Sequence, residues 1–175
     1  MLTSSCNAFL DRLASGQPVP GGGGASALCG ALGAALGSMV CHLTLGKKKY
    51  ADVQQDIERL LQQAESLRAQ LQDLVQQDAV AFEPLSQAYG LPKSTPEELA
   101  HREEVLARCL RDACQVPLDI MEVCTQVIAM LEELAQKGSR IALSDVGVGA
   151  AFCHGALEGA SLNVYINTRL MKDRA

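Results

Sequence analysis

Hydrophobic positions recur every three or four residues through most of the chain, the spacing that lines them up on one side of an α-helix. Phe9, Leu10 and Leu13 predict a short first helix from about Ala8, with Ser4 or Ser5 as its N-cap and Gly16 as its stop. Pro18, Pro20 and the four glycines Gly21, Gly22, Gly23 and Gly24 argue against regular structure. From Ala25 to Leu45 the chain is uncharged and has no polar side, which predicts a helix buried on all sides. Within it Gly30, Gly33, Ala34 and Gly37 stand three or four apart and would let neighbouring backbones approach closely.

A long amphipathic helix is predicted over about 52–89, with Ile57, Leu60, Leu61, Ala64, Leu67, Leu71, Leu74, Val75 and Phe82 on one stripe and Pro84 kinking or breaking it. Thr95, Pro96, Glu97 and Glu98 form a capping box with proline at the first helical position, starting a helix that runs to about Gln115. Pro117 opens the next helix, which carries Ile120, Val123, Val127, Met130 and Leu134 and stops at Gly138. A last helix over about 144–171 is again rich in small residues. The expected fold is therefore all-α, a single-domain helical bundle over 1–175 in which two buried small-residue helices are wrapped by longer amphipathic ones. No second domain, linker or internal repeat is expected.

Composition narrows the function. With 175 residues, 48% of them hydrophobic and 20% charged, the chain has material for a core and is not disordered overall. Only 3% of residues are aromatic, which disfavours base-stacking platforms and β-sandwich cores. A net charge of -5 supplies no broad basic field, so neither nucleic acid nor an anionic membrane is an expected partner. The uncharged segment is long enough to raise a membrane span, yet its Ala, Gly, Ser, Thr and His42 make it only weakly hydrophobic, and a buried core helix explains it better. Seven cysteines, with no Cys-x-x-Cys pair and no histidine at zinc-finger spacing, speak against a disulfide framework or a zinc site. Most fall in apolar patterns, and together with an N-terminus unlike a signal peptide they point to a reducing cytoplasm. His42, His101 and His154 share no ligand spacing, so no metal is assigned.

Four features carry candidate chemistry. The glycine run ahead of an uncharged helix is either a flexible connector or a place where backbone N–H groups meet a ligand; it lacks the Gly-Lys-Ser/Thr ending of a Walker A loop. Lys47, Lys48 and Lys49 form the only basic run, either a solvated cluster at a helix C-terminus or a carboxylate-binding patch. Asp78, flanked by Ala79, Val80, Ala81 and Phe82, is either a surface acid beside Gln76 and Gln77 or a desolvated carboxylate suited to proton transfer. On the last helix, Asp145 is a candidate acid or a helix cap, and Asn163 and Asn167 are amides on an apolar face that bond either a ligand or another helix. Eighteen residues of helix span roughly 27 Å, so Asp145 and Asn163 cannot serve one small moiety within one subunit.

Taken together, PVPGGGGASALCGALGAALGSMVCHLTLGKKKY, QDAVAF, LPKSTPEE, VPLDI, SDVGVGAA and LNVYINT resemble, in order and over nearly the whole chain, the cyclodeaminase/cyclohydrolase family. That family includes the C-terminal domain of formiminotransferase-cyclodeaminase and stand-alone methenyltetrahydrofolate cyclohydrolases. The resemblance implies a helical homodimer acting on one-carbon tetrahydrofolates, either hydrolysing 5,10-methenyltetrahydrofolate to 10-formyltetrahydrofolate or eliminating ammonia from 5-formiminotetrahydrofolate. It implies no cofactor or metal beyond the folate substrate. Asp78 or Asp145 would transfer the proton, with Asp78 preferred because it is less easily explained as a cap. Lys47, Lys48 and Lys49 would meet the carboxylates of a folate tail, including a polyglutamate, and the pterin would lie near Gly21, Gly22, Gly23 and Gly24 with Asn163 and Asn167. Two positions depart from the family pattern: Gly24 stands where a Ser usually follows three glycines, and Ser139 where an Asn commonly follows Gly138. A third reading, a non-catalytic helical dimerisation module, would show a closed groove and a disordered glycine run.

Overall fold

The computed structural model describes residues 5–171, and Ser4, one of the two candidate caps, lies outside them. Five α-helices follow one another: α1 Cys6–Leu13, α2 Gly22–Thr44, α3 Gln54–Tyr89, α4 Pro96–Lys137 and α5 Leu143–Leu170. Short 3-10 turns at Lys48–Val53 and Arg140–Ala142 join α2 to α3 and α4 to α5. The fold is all-α, with no strand among the described residues.

Local signals account for the helix starts. Ser5 caps α1 by accepting the Ala8 N–H at 3.2 Å. Thr95 and Glu98 form the reciprocal capping box that opens α4. Two expectations about proline are corrected. Neither Pro84 nor Pro117 ends a helix: α3 runs through the first for 36 residues in all, and α4 through the second for 42. A proline removes one N–H and leaves the carbonyl four residues earlier without its partner, a loss the chain absorbs when another donor reaches that carbonyl.

α2 is the central helix, packed on α3, α4 and α5. It runs antiparallel to α5, with Gly22 against Asn163, Ser26 against Gly159, Gly30 against Cys153 and Gly33 against Gly149. At Gly33 the two backbones meet, so that an added Cβ would come within 2.8 Å of the Gly149 carbonyl oxygen and collide with Cys153 Sγ. Here Cys153 behaves as a small buried apolar group, and all seven cysteines are free. On the other side, Ile57, Leu60 and Leu71 of α3 and Ile120, Val127 and Leu134 of α4 are wholly buried.

The expectation that α2 is buried on all sides is also corrected. Leu32 is 49% exposed and Leu43 42%, and α5 continues that surface with Val148, Phe152, Leu162 and Ile166. The glycines and alanines that allow close packing occupy the inward sides, and the larger apolar residues are left facing outward. By length and composition α2 and α4 would both pass as membrane spans, but 61% and 50% of their apolar windows are buried in the bundle, as in core helices.

The close approach of α2 to α5 yields a paired expectation. Gly33→Ala should lower Tm by several degrees, because the clash is with backbone that cannot yield cheaply. Gly147→Ala, with nothing within 4 Å of its added Cβ, should raise stability by about 0.5–1 kcal/mol through helix propensity. Thermal melts followed by circular dichroism separate the two, and equal effects would refute the packing argument.

Candidate active site

The site is built at the N-terminal end of α2. Sequence patterning placed the helix start at Ala25, but Gly22, Gly23 and Gly24 form its first turn and Gly21 is its N-cap. A first turn needs no earlier acceptors for its N–H groups, so glycine's weakness as a helix former costs less there than in mid-helix. α3 supplies what the turn lacks: Asp78 Oδ2 accepts the Gly24 N–H at 2.7 Å. A Cβ at Gly23 would lie 2.6 Å from Asp78 Cγ and collide with Oδ1, so the carboxylate closes on the helix because position 23 carries no side chain.

Two opposing effects act on Asp78. Burial against α2 pushes its pKa above the usual carboxylate range, and the Gly24 N–H pulls the other way without cancelling the rise. The result is a half-buried carboxyl whose affinity for a proton is greater than that of a surface aspartate.

α5 closes the site from the other side. Asn163 packs on Gly22, where an added Cβ would come within 3.3 Å of its Nδ2, and the same Nδ2 donates to the Gly159 carbonyl at 2.9 Å. Asn167, one turn on and buried, donates Nδ2 to the Ala113 carbonyl of α4 at 3.2 Å. Asp78, Phe82, Pro117, Asn163, Ile166 and Asn167 line a cavity of about 70 Å³. That volume admits a water or a single small group. On the other side of Phe82 lies a groove of about 500 Å³ bordered by Pro18, Val19 and Glu83, large enough for a ring system.

The structure thus assembles Gly21, Gly22, Gly23, Gly24, Asp78, Asn163 and Asn167. It does not bring the remaining candidates to them. Lys47, Lys48 and Lys49 are exposed beyond the far end of α2, roughly 33 Å away at 1.5 Å per residue. Asp145 lies in the first turn of α5 but makes no capping hydrogen bond, so its reading as a cap fails; Ala142 is the N-cap. Tyr50 stands with the lysines, its hydroxyl accepting the Arg140 N–H at 3.0 Å and its ring 5.7 Å from Lys49 Nζ. That N–H, followed by Ser139 and the lysine charges, holds the Tyr50 phenol below its usual range. The buried Ser139 donates its N–H to Thr44 Oγ1 at 2.9 Å.

Patterning missed Phe82 and Pro117 as parts of the site. Phe82 was legible in one respect, since it follows Asp78 by one helical turn and must share its side of α3. Among the described residues no cluster of His, Cys, Asp and Glu is arranged to hold a metal.

Known proteins resemble the chain over most of its length. A family model described as formiminotransferase-cyclodeaminase matches residues 5–175. The chain is 47% identical to a methenyltetrahydrofolate cyclohydrolase of Methylorubrum extorquens over 167 residues, 95% of this chain and 80% of that protein. It is 39% identical over 99% of its length to a formimidoyltransferase-cyclodeaminase of Rattus norvegicus, of which it spans 32%. A crystal structure of formiminotetrahydrofolate cyclodeaminase from Thermotoga maritima superposes with a TM-score of 0.84 at 35% identity, covering 97% of this chain and 81% of that one.

The glycine turn discriminates sharply between neighbouring positions. Gly23→Ala should destabilise the fold by about 1–3 kcal/mol by driving Asp78 from its place. At Gly24 an added Cβ meets nothing nearer than Asp78 Oδ2 at 3.6 Å, so Gly24→Ala should be neutral or slightly stabilising. Urea melts of the two variants check the contrast, which would collapse if Gly24→Ala proved the more costly.

Proposed function

Because the chain belongs to the formiminotransferase-cyclodeaminase family, we propose that it hydrolyses 5,10-methenyltetrahydrofolate to 10-formyltetrahydrofolate. The observation that carries this reading is Asp78, a desolvated carboxylate held against a helix N-terminus beside a cavity with room for a water. The substrate's one-carbon bridge is an electron-poor amidinium carbon. Asp78 takes a proton from a water as its oxygen bonds to that carbon, giving a tetrahedral carbinolamine. Asp78 then returns the proton to N5 as the N5–carbon bond breaks; the hydroxyl proton leaves, and the formyl group stays on N10. One carboxylate thus acts as base and then as acid, which a raised pKa favours. Asn163, beside Gly22, holds the water or the carbinolamine hydroxyl. No cofactor is required beyond the folate.

A second reading is favoured by the likeness to a cyclodeaminase structure. N10 attacks the formimino carbon and its proton passes to the imine nitrogen; the carboxyl gives that nitrogen a second proton, and it leaves as ammonia as the methenyl cation forms. Both reactions use Asp78 in the same place. The third reading, a non-catalytic module, expected a disordered glycine run, whereas Gly22, Gly23 and Gly24 form an ordered helical turn.

The distance between the lysine run and Asp78 supports a homodimer. The outward residues Leu32, Met39, Leu43, Val148, Phe152 and Ile166 make one apolar face along α2 and α5. A twofold axis through the middle of that face would set Lys47, Lys48, Lys49 and Asp145 of one protomer near the Asp78 site of the other, where the lysines meet the carboxylates of a folate tail or polyglutamate. The free cysteines suit a reducing cytoplasm.

Kinetics and stability both test these statements. Asp78→Asn should lower kcat for loss of methenyl absorbance by roughly 10² or more with KM little changed. In the wild type kcat/KM should fall as pH drops through the raised pKa, since the base is then protonated. The same rise means that the folded chain binds this proton more tightly than the unfolded one. Asp78 therefore costs stability as pH climbs above the ordinary carboxylate range, and Asp78→Asn should gain on the wild type over that window. If absorbance instead appears with 5-formiminotetrahydrofolate and not with the methenyl substrate, the cyclodeaminase reading replaces this one.

For the dimer, Phe152→Lys should shift light scattering from dimer to monomer and abolish turnover while helicity persists. Replacing Lys47, Lys48 and Lys49 by Ala should raise KM for polyglutamylated substrate more than for the monoglutamate. Equal increases would remove the tail contact.

A further inference from the structure

We infer that Asn167 is a positioning residue for the Asp78 site: its amide replaces the main-chain N–H that Pro117 lacks, and the bond it makes pins α5 on α4 with Asn163 in place. In a regular helix the N–H of residue 117 would bond the carbonyl of Ala113. Proline has no such hydrogen, and its ring pushes that carbonyl aside. Ala113 is 6% exposed and Pro117 is buried, so bulk water does not replace the lost donor. Asn167 Nδ2, from a different helix, stands 3.2 Å from the Ala113 oxygen.

Pro84 serves as the internal control. It frees the carbonyl of Val80 in the same way, but Val80 is 60% exposed, so water reaches that part of the helix. Open solvent suffices there. Only beside the cavity is a buried amide committed to the repair.

Asn167 also meets the Cys114 thiol of α4, and Cys153 meets Cys124, while Val127, Ala156 and Ala160 bring only apolar surface to the same core. Such packing tolerates small slides and rotations better than a directional hydrogen bond does. Asn163 lies one turn before Asn167 on the same side of α5, so whatever fixes the height and rotation of Asn167 fixes Asn163 against Gly22 and, through that turn, against Asp78. Ala113, Pro117, Asn163 and Asn167 all border the cavity. The proline kink opens its wall, and the amide closes it.

The catalytic part of this inference rests on the function proposed above, whereas the hydrogen-bond replacement does not. The test is a double-mutant cycle of Asn167→Leu with Pro117→Ala on the full chain, read by Tm and by turnover of 5,10-methenyltetrahydrofolate. Alone, Asn167→Leu should lower Tm by about 3 °C or more, because the Ala113 carbonyl is left buried and unpaired. It should also lower kcat by roughly tenfold, with KM changing by less than about threefold. In the Pro117→Ala background residue 117 again offers an N–H to Ala113, so the same substitution should cost less than half as much Tm and kcat should return to within about threefold of Pro117→Ala alone. Asn167→Asp, which puts an acceptor where a donor is needed, should be worse than Asn167→Leu in both backgrounds.

If Asn167→Leu costs as much in both backgrounds, Asn167 does not act through Pro117 and the inference is overturned. A wild-type chain that converts neither folate overturns the functional reading. In that case the Tm cycle decides the hydrogen-bond replacement by itself: coupled losses uphold it and additive losses overturn it.

Discussion

Backbone contact between α2 and α5 is the constraint from which the rest of the molecule follows. At Gly33 and Gly149 each helix lies so near the other that an added Cβ would fall 2.8 Å and 3.1 Å, respectively, from the opposing carbonyl oxygen. Helices with ordinary side chains at the contact stay 8–10 Å apart between axes. Here the shorter approach is carried along the antiparallel pair, from Gly33 past Gly30 and Ser26 to Gly22, and delivers Asn163 to the first turn of α2. Glycine is disfavoured within a helix on propensity alone, so these positions lose local stability in exchange for an approach that no larger residue permits.

The same logic operates at the N-terminus of α2 with a charged partner. The helix end offers unpaired N–H groups and a partial positive charge, both favourable to an anion. Asp78 takes the Gly24 N–H, yet its surroundings are apolar enough that desolvation outweighs that bond and its pKa rises. A carboxylate fully satisfied by donors would be a poor base, and one with no donor would stay protonated or swing out of place. A single N–H beside a small cavity leaves Asp78 held in place with its proton affinity raised, as the proposed chemistry needs.

Chemistry on this chain is divided between two ends of one helix. Asp78, the glycine turn and the asparagines occupy one end; Lys47, Lys48, Lys49, Tyr50 and Arg140 occupy the other, and the latter group is ordered by its own bonds from Tyr50 to Arg140 and from Ser139 to Thr44. A one-carbon folate couples a reactive pterin to a carboxylate tail, so under the proposed function each end has a part of the ligand to recognise. The outward apolar residues of α2 and α5 lie between them, and in the proposed homodimer they are the surface through which a second copy unites the two.

Helical periodicity, capping chemistry and small-residue spacing are local properties, and for that reason the all-α fold, the Thr95 capping box and the glycine-lined helix packing were legible in the amino-acid sequence by itself. So was the suspicion that Asp78 is more than a surface acid, because its neighbours on the chain are apolar. Tertiary structure alone decided the fate of the prolines: α4 runs unbroken through Pro117, and the donor that meets the Ala113 carbonyl comes from α5, 50 residues beyond that proline along the chain, where nothing near position 117 announces it. It also settled that Gly22, Gly23 and Gly24 are helical, since the acceptor that satisfies Gly24 belongs to α3, and that the lysine run and Asp78 stand a full helix apart. In each case the deciding partner is remote in sequence, and patterning along the chain has no access to a contact that exists only once the helices have packed.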